Sequence, residues 1–156
     1  MSHKTNHLKL KAMRQALGLT VAEACEFVPN LRGEPVSKRY LQYLEAGEQR
    51  ISDEIDLIFF TKAAHYRLLL EKLTSDIESW HKDNPRPTSD EYLLALPFFY
   101  SFDDFANRTG NPSRASWRIW QSITGHLALM GKLHQLDDDA QIPDNFRCRA
   151  WLKNYD

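Results

Sequence analysis

The chain has 156 residues, 42% of them hydrophobic, which is enough for one domain with a packed core or a small domain with a helical extension. There is no run of about eighteen apolar residues and no signal-peptide block, so we expect a cytoplasmic protein without a membrane partner. The net charge of −1 is not the strongly basic balance typical of nucleic-acid-binding proteins. The charge is unevenly distributed along the chain, however, with +3 over residues 1–52 and −4 over residues 53–156.

Residues 7–17 are predicted to form the first helix, because apolar side chains recur at helical spacing. Gly18 follows at a position typical of a helix end. The apolar side of this helix is predicted to consist of Leu8, Ala12, Met13 and Leu17.

A second helix is predicted over residues 21–28. Thr20 is its predicted N-cap, Glu23 completes a capping box, and the helix must end before Pro29. Its Cys25 is expected to be a buried thiol, and both this cysteine and Cys148 are predicted to be reduced.

Residues 29–36 contain two prolines and a glycine and are therefore predicted to form a loop. Ser37 then offers an N-cap for a third helix over residues 38–46, which Gly47 ends. Three short helices in this order predict a helix-turn-helix arrangement whose third helix is the recognition helix.

A long helix is predicted to begin at Ser52 or Asp53 and to end before the segment DNPRP. Its apolar stripe consists of Ile55, Ile58, Phe59, Ala63, Tyr66, Leu69, Leu70, Leu73, Ile77 and Trp80.

The last third of the chain is less regular. The apolar segment around Pro97 predicts a short edge strand, because proline cannot donate to a sheet ladder. Ser101 is predicted to cap a short helix that ends at Gly110, and residues 115–133 are predicted to form a further helix. Residues 137–145 are predicted to be a solvated loop.

The third helix carries the residue types that recognise base edges in the major groove of DNA. Lys38, Arg39 and Gln42 share one face near its beginning, and Tyr43 lies at the border of that face. We predict that these four side chains contact bases.

A second set of polar residues flanks the base-contacting set and is predicted to contact phosphates. Ser37 lies at the helix N-terminus, where free amides favour an anion. The other members of this set are Thr20, Arg32, Gln49 and Arg50.

The segment LKAMRQALGLTVAEACEFV followed by VSKRYLQYLEAG resembles the Cro/cI-type helix-turn-helix regulators. It is most similar to their YdiL-like branch, which includes anti-CRISPR-associated autorepressors, because Trp117, Gln121 and Ser122 match that branch's Trp-x-x-x-Gln-Ser segment. The resemblance covers residues 8–60 closely and 93–130 loosely, and the loop before the third helix is longer than is usual in the family. It implies a lambda-repressor-like fold and a repressor that regulates its own gene.

The resulting prediction is a mostly α-helical protein with a helix-turn-helix DNA-binding domain in residues 1–52. Residues 53–156 are predicted to supply the long helix and a helical dimerisation region with one short strand. A single recognition helix makes few base contacts, so we expect a homodimer that binds an inverted-repeat operator in double-stranded DNA.

Two alternatives remain open. The first is a protein–protein interaction module that keeps the helix-turn-helix fold without its DNA contacts, which the near-neutral charge favours. The second alternative is RNA binding, either alone or in addition to DNA binding. No nucleophile elbow or phosphate-binding glycine loop occurs, so no enzymatic activity or cofactor is expected. His126, His134 and the run from Asp137 to Asp139 match no metal-binding loop, and no metal site is expected.

Overall fold

The computed structural model describes residues 5–30, 32–85 and 94–153. Over these residues it is mostly helical, with one sheet of two short strands, which confirms the predicted fold class. None of the helices described is both long enough and apolar enough to cross a membrane. The elements are α1 (His7–Ala16), α2 (Val21–Cys25), α3 (Lys38–Ala46), α4 (Asp53–Asp83), β1 (Ala95–Pro97), α5 (Phe102–Thr109), α6 (Arg114–Leu129), β2 (Gln135–Asp137) and α7 (Cys148–Leu152).

The chain forms two compact units, Met1–His65 and Tyr66–Asp156. In the first unit, α3 packs against both α1 and α2. The assignment of these helices to the lambda-repressor-like type, and the functional boundary at residues 52 and 53, stay predictions.

The buried face of α1 differs from the predicted one. Leu10, Arg14 and Leu17 are buried, whereas Leu8 is 65% exposed and Ala12 is also exposed. The prediction is confirmed for Leu17 and wrong for Leu8 and Ala12, because Leu10 and the cation Arg14 occupy the buried face instead. A cation can be buried when it is paired and hydrogen-bonded, and Arg14 is.

The predicted caps of the short helices are confirmed. Thr20 and Glu23 form the reciprocal capping box of α2, and the Ser37 hydroxyl accepts a hydrogen bond from the Tyr40 amide at the start of α3. Gly47 ends α3 with a φ of +79°, a left-handed conformation that glycine adopts without strain. The second helix is shorter than predicted and ends at Cys25, because the next amides bond to carbonyls three residues back and tighten the chain.

The long helix α4 is continuous and begins where predicted, with the Ser52 hydroxyl accepting a hydrogen bond from the Ile55 amide. Its first turns pack within the N-terminal unit. Phe59 lies 5.7 Å from Phe27 between ring centroids, and Asp56 accepts a hydrogen bond from the Thr5 amide.

In the C-terminal unit β1 and β2 pair in parallel, with Leu96 opposite Leu136. The predicted strand is therefore present, and Pro97 stands at its last position. The Trp120 indole of α6 donates a hydrogen bond to the Pro97 carbonyl at 3.1 Å, which holds the end of the strand on the helix.

The predicted loop at residues 137–145 needs one correction, because its first residue, Asp137, belongs to β2. The short helix α7, for which no prediction was made, follows the loop. Both elements depend on distant partners. In particular, the buried Asp76 carboxylate of α4 accepts hydrogen bonds from the amides of Arg147 and Cys148 at 2.9 Å each. Such a cap cannot be recognised from the local sequence.

Candidate nucleic-acid interface

Helix α3 has one buried face and one exposed face. Leu41, Leu44 and Glu45 are buried, whereas Lys38, Arg39 and Gln42 are exposed. The spacing of i, i+1 and i+4 brings the three exposed polar side chains together near the beginning of the helix. These three side chains therefore present hydrogen-bond donors and acceptors on one accessible surface, and they are of the kinds that recognise base edges.

The orientation of this exposed face depends on a buried ion pair between α1 and α3. Arg14 Nε and Nη2 donate to the two carboxylate oxygens of Glu45 at 2.8 and 2.9 Å. Arg14 Nη1 donates to the carbonyl of Leu19 at 2.9 Å, which also ties the turn after α1 to the pair. Two parallel bonds constrain direction as well as distance, so the pair holds the Glu45 side of α3 against α1.

Arg39 and Tyr43 form a local pair on the exposed side of α3. Arg39 Nε donates to the Tyr43 hydroxyl at 2.5 Å, and the guanidinium lies 5.3 Å from the centre of the tyrosine ring. The bond uses Nε alone, which leaves the two terminal nitrogens for a bidentate contact of the kind arginine makes with guanine. The half-buried Tyr43 thus restrains Arg39 on the helix surface.

The two predicted hydroxyl contacts to phosphate both serve as N-caps. Thr20 Oγ1 accepts from the Glu23 amide at 3.1 Å, and Ser37 Oγ accepts from the Tyr40 amide at 3.2 Å. Capping uses an oxygen lone pair, so each O–H group remains able to donate to a phosphate oxygen. Both residues are exposed.

Arg32 lies in the loop before α3, which is a closed structure. Pro29 and Pro35 form an isolated antiparallel bridge, and the Asn30 side-chain oxygen accepts hydrogen bonds from the amides of Arg32 and Glu34 at 2.8 and 3.0 Å. These contacts give the unusually long loop a defined shape. Arg32 and Ser37 line the same concavity, of about 640 Å³, so the loop brings a cation close to the beginning of α3.

Gln49 and Arg50 lie at the other end of α3 and are exposed. They line a separate concavity of about 360 Å³ together with Asn6 and His7, at the start of α1. The predicted phosphate-contacting residues are therefore found at both ends of the base-contacting helix. They do not form a single cluster.

Burial keeps the thiol of Cys25, which lies near α3, in its neutral form. The Cys25 thiol of α2 has a raised pKa, mainly because of burial, while the nearby Lys38 opposes the rise and Glu45 adds to it. A neutral buried thiol is a poor nucleophile. Cys25 therefore packs as a small apolar group behind α3.

Three residues that shape the candidate interface were not predicted from the sequence. Asn30 organises the loop, and Arg14 and Glu45 orient the helix. A signal for Arg14 was present, since it stands between Leu10 and Leu17 on what is now seen to be the apolar stripe. Nothing local marked Glu45 as its partner.

The Trp-x-x-x-Gln segment of α6 has a clear structural role in the C-terminal unit. The Trp117 indole and the Gln121 amide both donate to the carbonyl of Phe99, at 3.1 and 2.9 Å. Residues four apart lie one turn apart on the same helix face, so the two donors converge on one acceptor. The motif thereby fastens the segment after β1 to α6.

These features define a small helical protein that presents a capped polar helix on a compact N-terminal unit. The family model described as Aca2/YdiL-like matches residues 5–135, and the chain belongs to this family. Membership indicates a regulatory role, of the kind associated with anti-CRISPR systems. The matched region begins two residues before α1, ends at the first residue of β2, and includes both segments that resemble the family in sequence. No curated protein matches the chain.

Proposed function

We propose that this protein is a sequence-specific regulator that binds double-stranded DNA and represses transcription. The geometry of α3 carries the proposal, because Lys38, Arg39 and Gln42 are exposed together while the buried Glu45 is paired with Arg14. The proposed role is a binding role in the cytoplasm and requires no catalytic residue or cofactor.

The proposed complex places α3 in the major groove with its N-terminal half against the bases. Arg39 pairs with a guanine through its terminal nitrogens, and Gln42 pairs with an adenine. Ser37, Thr20 and the other flanking residues contact the phosphates on either side and so set the register of the helix. Repression follows when the bound protein occludes a promoter.

We further propose that the protein binds as a homodimer. One α3 supplies few base contacts, and two copies related by a two-fold axis double them on an inverted repeat. Part of the apolar stripe of α4 belongs to the internal core and is not available for pairing, because Leu73 and Ile77 are buried within the chain. Large apolar side chains that are exposed outside residues 1–52 provide the area for pairing, namely Leu57, Phe60, Leu68, Tyr100, Leu129 and Met130. Light scattering at micromolar concentration tests this part.

A direct experiment on DNA binding uses fluorescence anisotropy with random-sequence duplexes at low salt. A DNA-binding protein retains salt-sensitive affinity for any duplex, whereas a protein–protein module does not. Competition by structured RNA distinguishes RNA binding. The matched control is Gln42→Ala, which removes a base contact without changing charge and should leave this non-specific affinity unchanged.

A further inference from the structure

The start of α1 lies beside the end of α3 and has no role in the proposed function as described so far. Its first residue, His7, lines the concavity of about 360 Å³ that also contains Gln49 and Arg50. The other residues that line this concavity are Thr5, Asn6, Gly47 and Ile51. None of these described lining residues is acidic, so an anion that enters the concavity meets no like charge on its walls.

Two hydrogen bonds fix the backbone from which the His7 side chain extends. The amide of the buried Thr5 donates to the Asp56 carboxylate at 2.9 Å, which ties the segment before α1 to α4. The Asn6 side-chain oxygen accepts from the Lys9 amide at 2.8 Å and so caps α1. Because His7 follows directly, its imidazole starts from a defined position.

The imidazole of His7 packs against Gly47, the residue that ends α3. A methyl group in place of a Gly47 hydrogen would lie 3.1 Å from the imidazole Cγ and 3.2 Å from Nδ1, which is closer than side chains normally approach. Glycine at this position therefore meets two requirements, the left-handed φ of +79° and the space that the ring occupies. The ring is consequently held beside the turn that leads from α3 to Gln49 and Arg50.

The side chains in this concavity are of the kinds that contact phosphate. The guanidinium of Arg50 provides a positive charge and paired donors, and the amide of Gln49 adds a further N–H donor. An imidazole has an N–H to donate in either protonation state, so His7 can bond to a phosphate oxygen whether or not it is charged. In the proposed complex the N-terminal half of α3 faces the bases, which leaves its other end for the sugar–phosphate backbone.

We propose that His7 is a further phosphate-contacting residue, which together with Gln49 and Arg50 holds one phosphate of the DNA backbone at the end of α3. This role rests on the proposed function, since it adds one contact to the same complex. The phosphate is then bound from α1 as well as from the end of α3. A shift of α3 along the groove would therefore break a contact that α1 makes.

The test is fluorescence anisotropy with a random-sequence duplex at low salt, because a phosphate contact contributes to the binding of any sequence. His7→Ala should weaken this affinity about three- to tenfold, the value of one net hydrogen bond. His7→Lys, which restores a donor and a charge but not the ring, should keep the affinity of the unaltered chain. His126→Ala and His126→Lys change an exposed histidine on α6 and are matched controls that should have no effect. Circular dichroism establishes that each variant is folded under the binding conditions.

A second readout locates the phosphate. It uses an operator obtained by selection from a random duplex library, in which single phosphates are replaced by uncharged methylphosphonates. The replacement should weaken binding of the unaltered chain at each contacted phosphate. His7→Ala and Arg50→Ala should both be less sensitive to replacement of one and the same phosphate, because each variant has already lost part of that contact.

The outcomes separate this role from the proposed function. Unchanged affinity in His7→Ala, an equal loss in His126→Ala, or a loss that His7→Lys does not restore would overturn the role of His7, while DNA binding by the unaltered chain would stand. Reduced sensitivity at different phosphates in His7→Ala and Arg50→Ala would also overturn it. No salt-sensitive binding by the unaltered chain would instead overturn the proposed function, and the role of His7 with it.

Discussion

Arg14 of α1 and Glu45 of α3 form a bidentate ion pair with N–O distances of 2.8 and 2.9 Å, and both side chains are nearly inaccessible to solvent. The pair joins the first helix of the N-terminal unit to the helix that carries the candidate base contacts. Its geometry connects the stability of the unit to the orientation of the exposed face of α3.

Glu45→Ala should lower the free energy of unfolding by about 3 kcal/mol, because it leaves the Arg14 cation buried without a counter-charge. Urea unfolding followed by circular dichroism measures the loss. Glu48→Ala removes an exposed carboxylate three residues away and should change stability by less than about 0.5 kcal/mol. The double variant Arg14→Met, Glu45→Leu should recover most of the loss, since an apolar pair of similar volume needs no partner charge. A small effect of Glu45→Ala would show that the pair contributes little.

Arg39→Ala and Gln42→Ala should each weaken specific DNA binding by about 1–3 kcal/mol and broaden the base preference at one position of the half-site. Both side chains are exposed on the same face of α3. Tyr43→Phe should have a smaller effect in the same direction, because it only removes the hydroxyl that restrains Arg39. Binding to a set of single-base operator variants measures the preference, with the exposed Arg67→Ala as a control for loss of one cation. An unchanged preference in both α3 variants would remove this helix from the base-contacting role.

Arg50→Ala should weaken binding to all sequences equally, since a phosphate contact positions the protein without distinguishing bases. The slope of log affinity against log salt should become shallower by about one unit, because one fewer counterion is released. Titrations at several salt concentrations measure the slope. An altered base preference with an intact slope would instead place Arg50 against a base.

Stability should fall as the pH is lowered towards 4, partly because of His65. Burial, together with the charge of Lys62, lowers the pKa of His65 to about 4, whereas an unfolded histidine has a pKa of about 6.5. Between these values the unfolded chain binds the proton and the folded chain does not, so acid favours unfolding. The loss attributable to His65 should be on the order of 1–2 kcal/mol by pH 4, allowing for partial solvent screening. His65→Gln should flatten this part of the profile, measured relative to pH 8, and an equally steep profile in the variant would contradict the assignment.

Features set by neighbouring residues were predictable from the sequence, and features set by distant residues were not. The caps at Thr20, Ser37 and Ser101 each depend on an amide three residues further on, so the local sequence was sufficient. Glu45 lies 31 residues from Arg14, and Asp76 lies 71 residues from the Arg147 amide that it caps, so no local pattern marks either contact. The same limit explains why the exposed face of α3 was located correctly while the contacts that orient it were missed.

DNA recognition by α3 is best tested by selecting bound sequences from a random duplex library with the unaltered chain and with Gln42→Ala in parallel. We expect an enriched inverted repeat whose half-site centres lie about one helical turn apart, or a multiple of it. We also expect Gln42→Ala to lose the preference at one base pair in each half-site while keeping the repeat. No enriched motif, together with no salt-sensitive affinity for duplex DNA, would show that α3 does not recognise DNA.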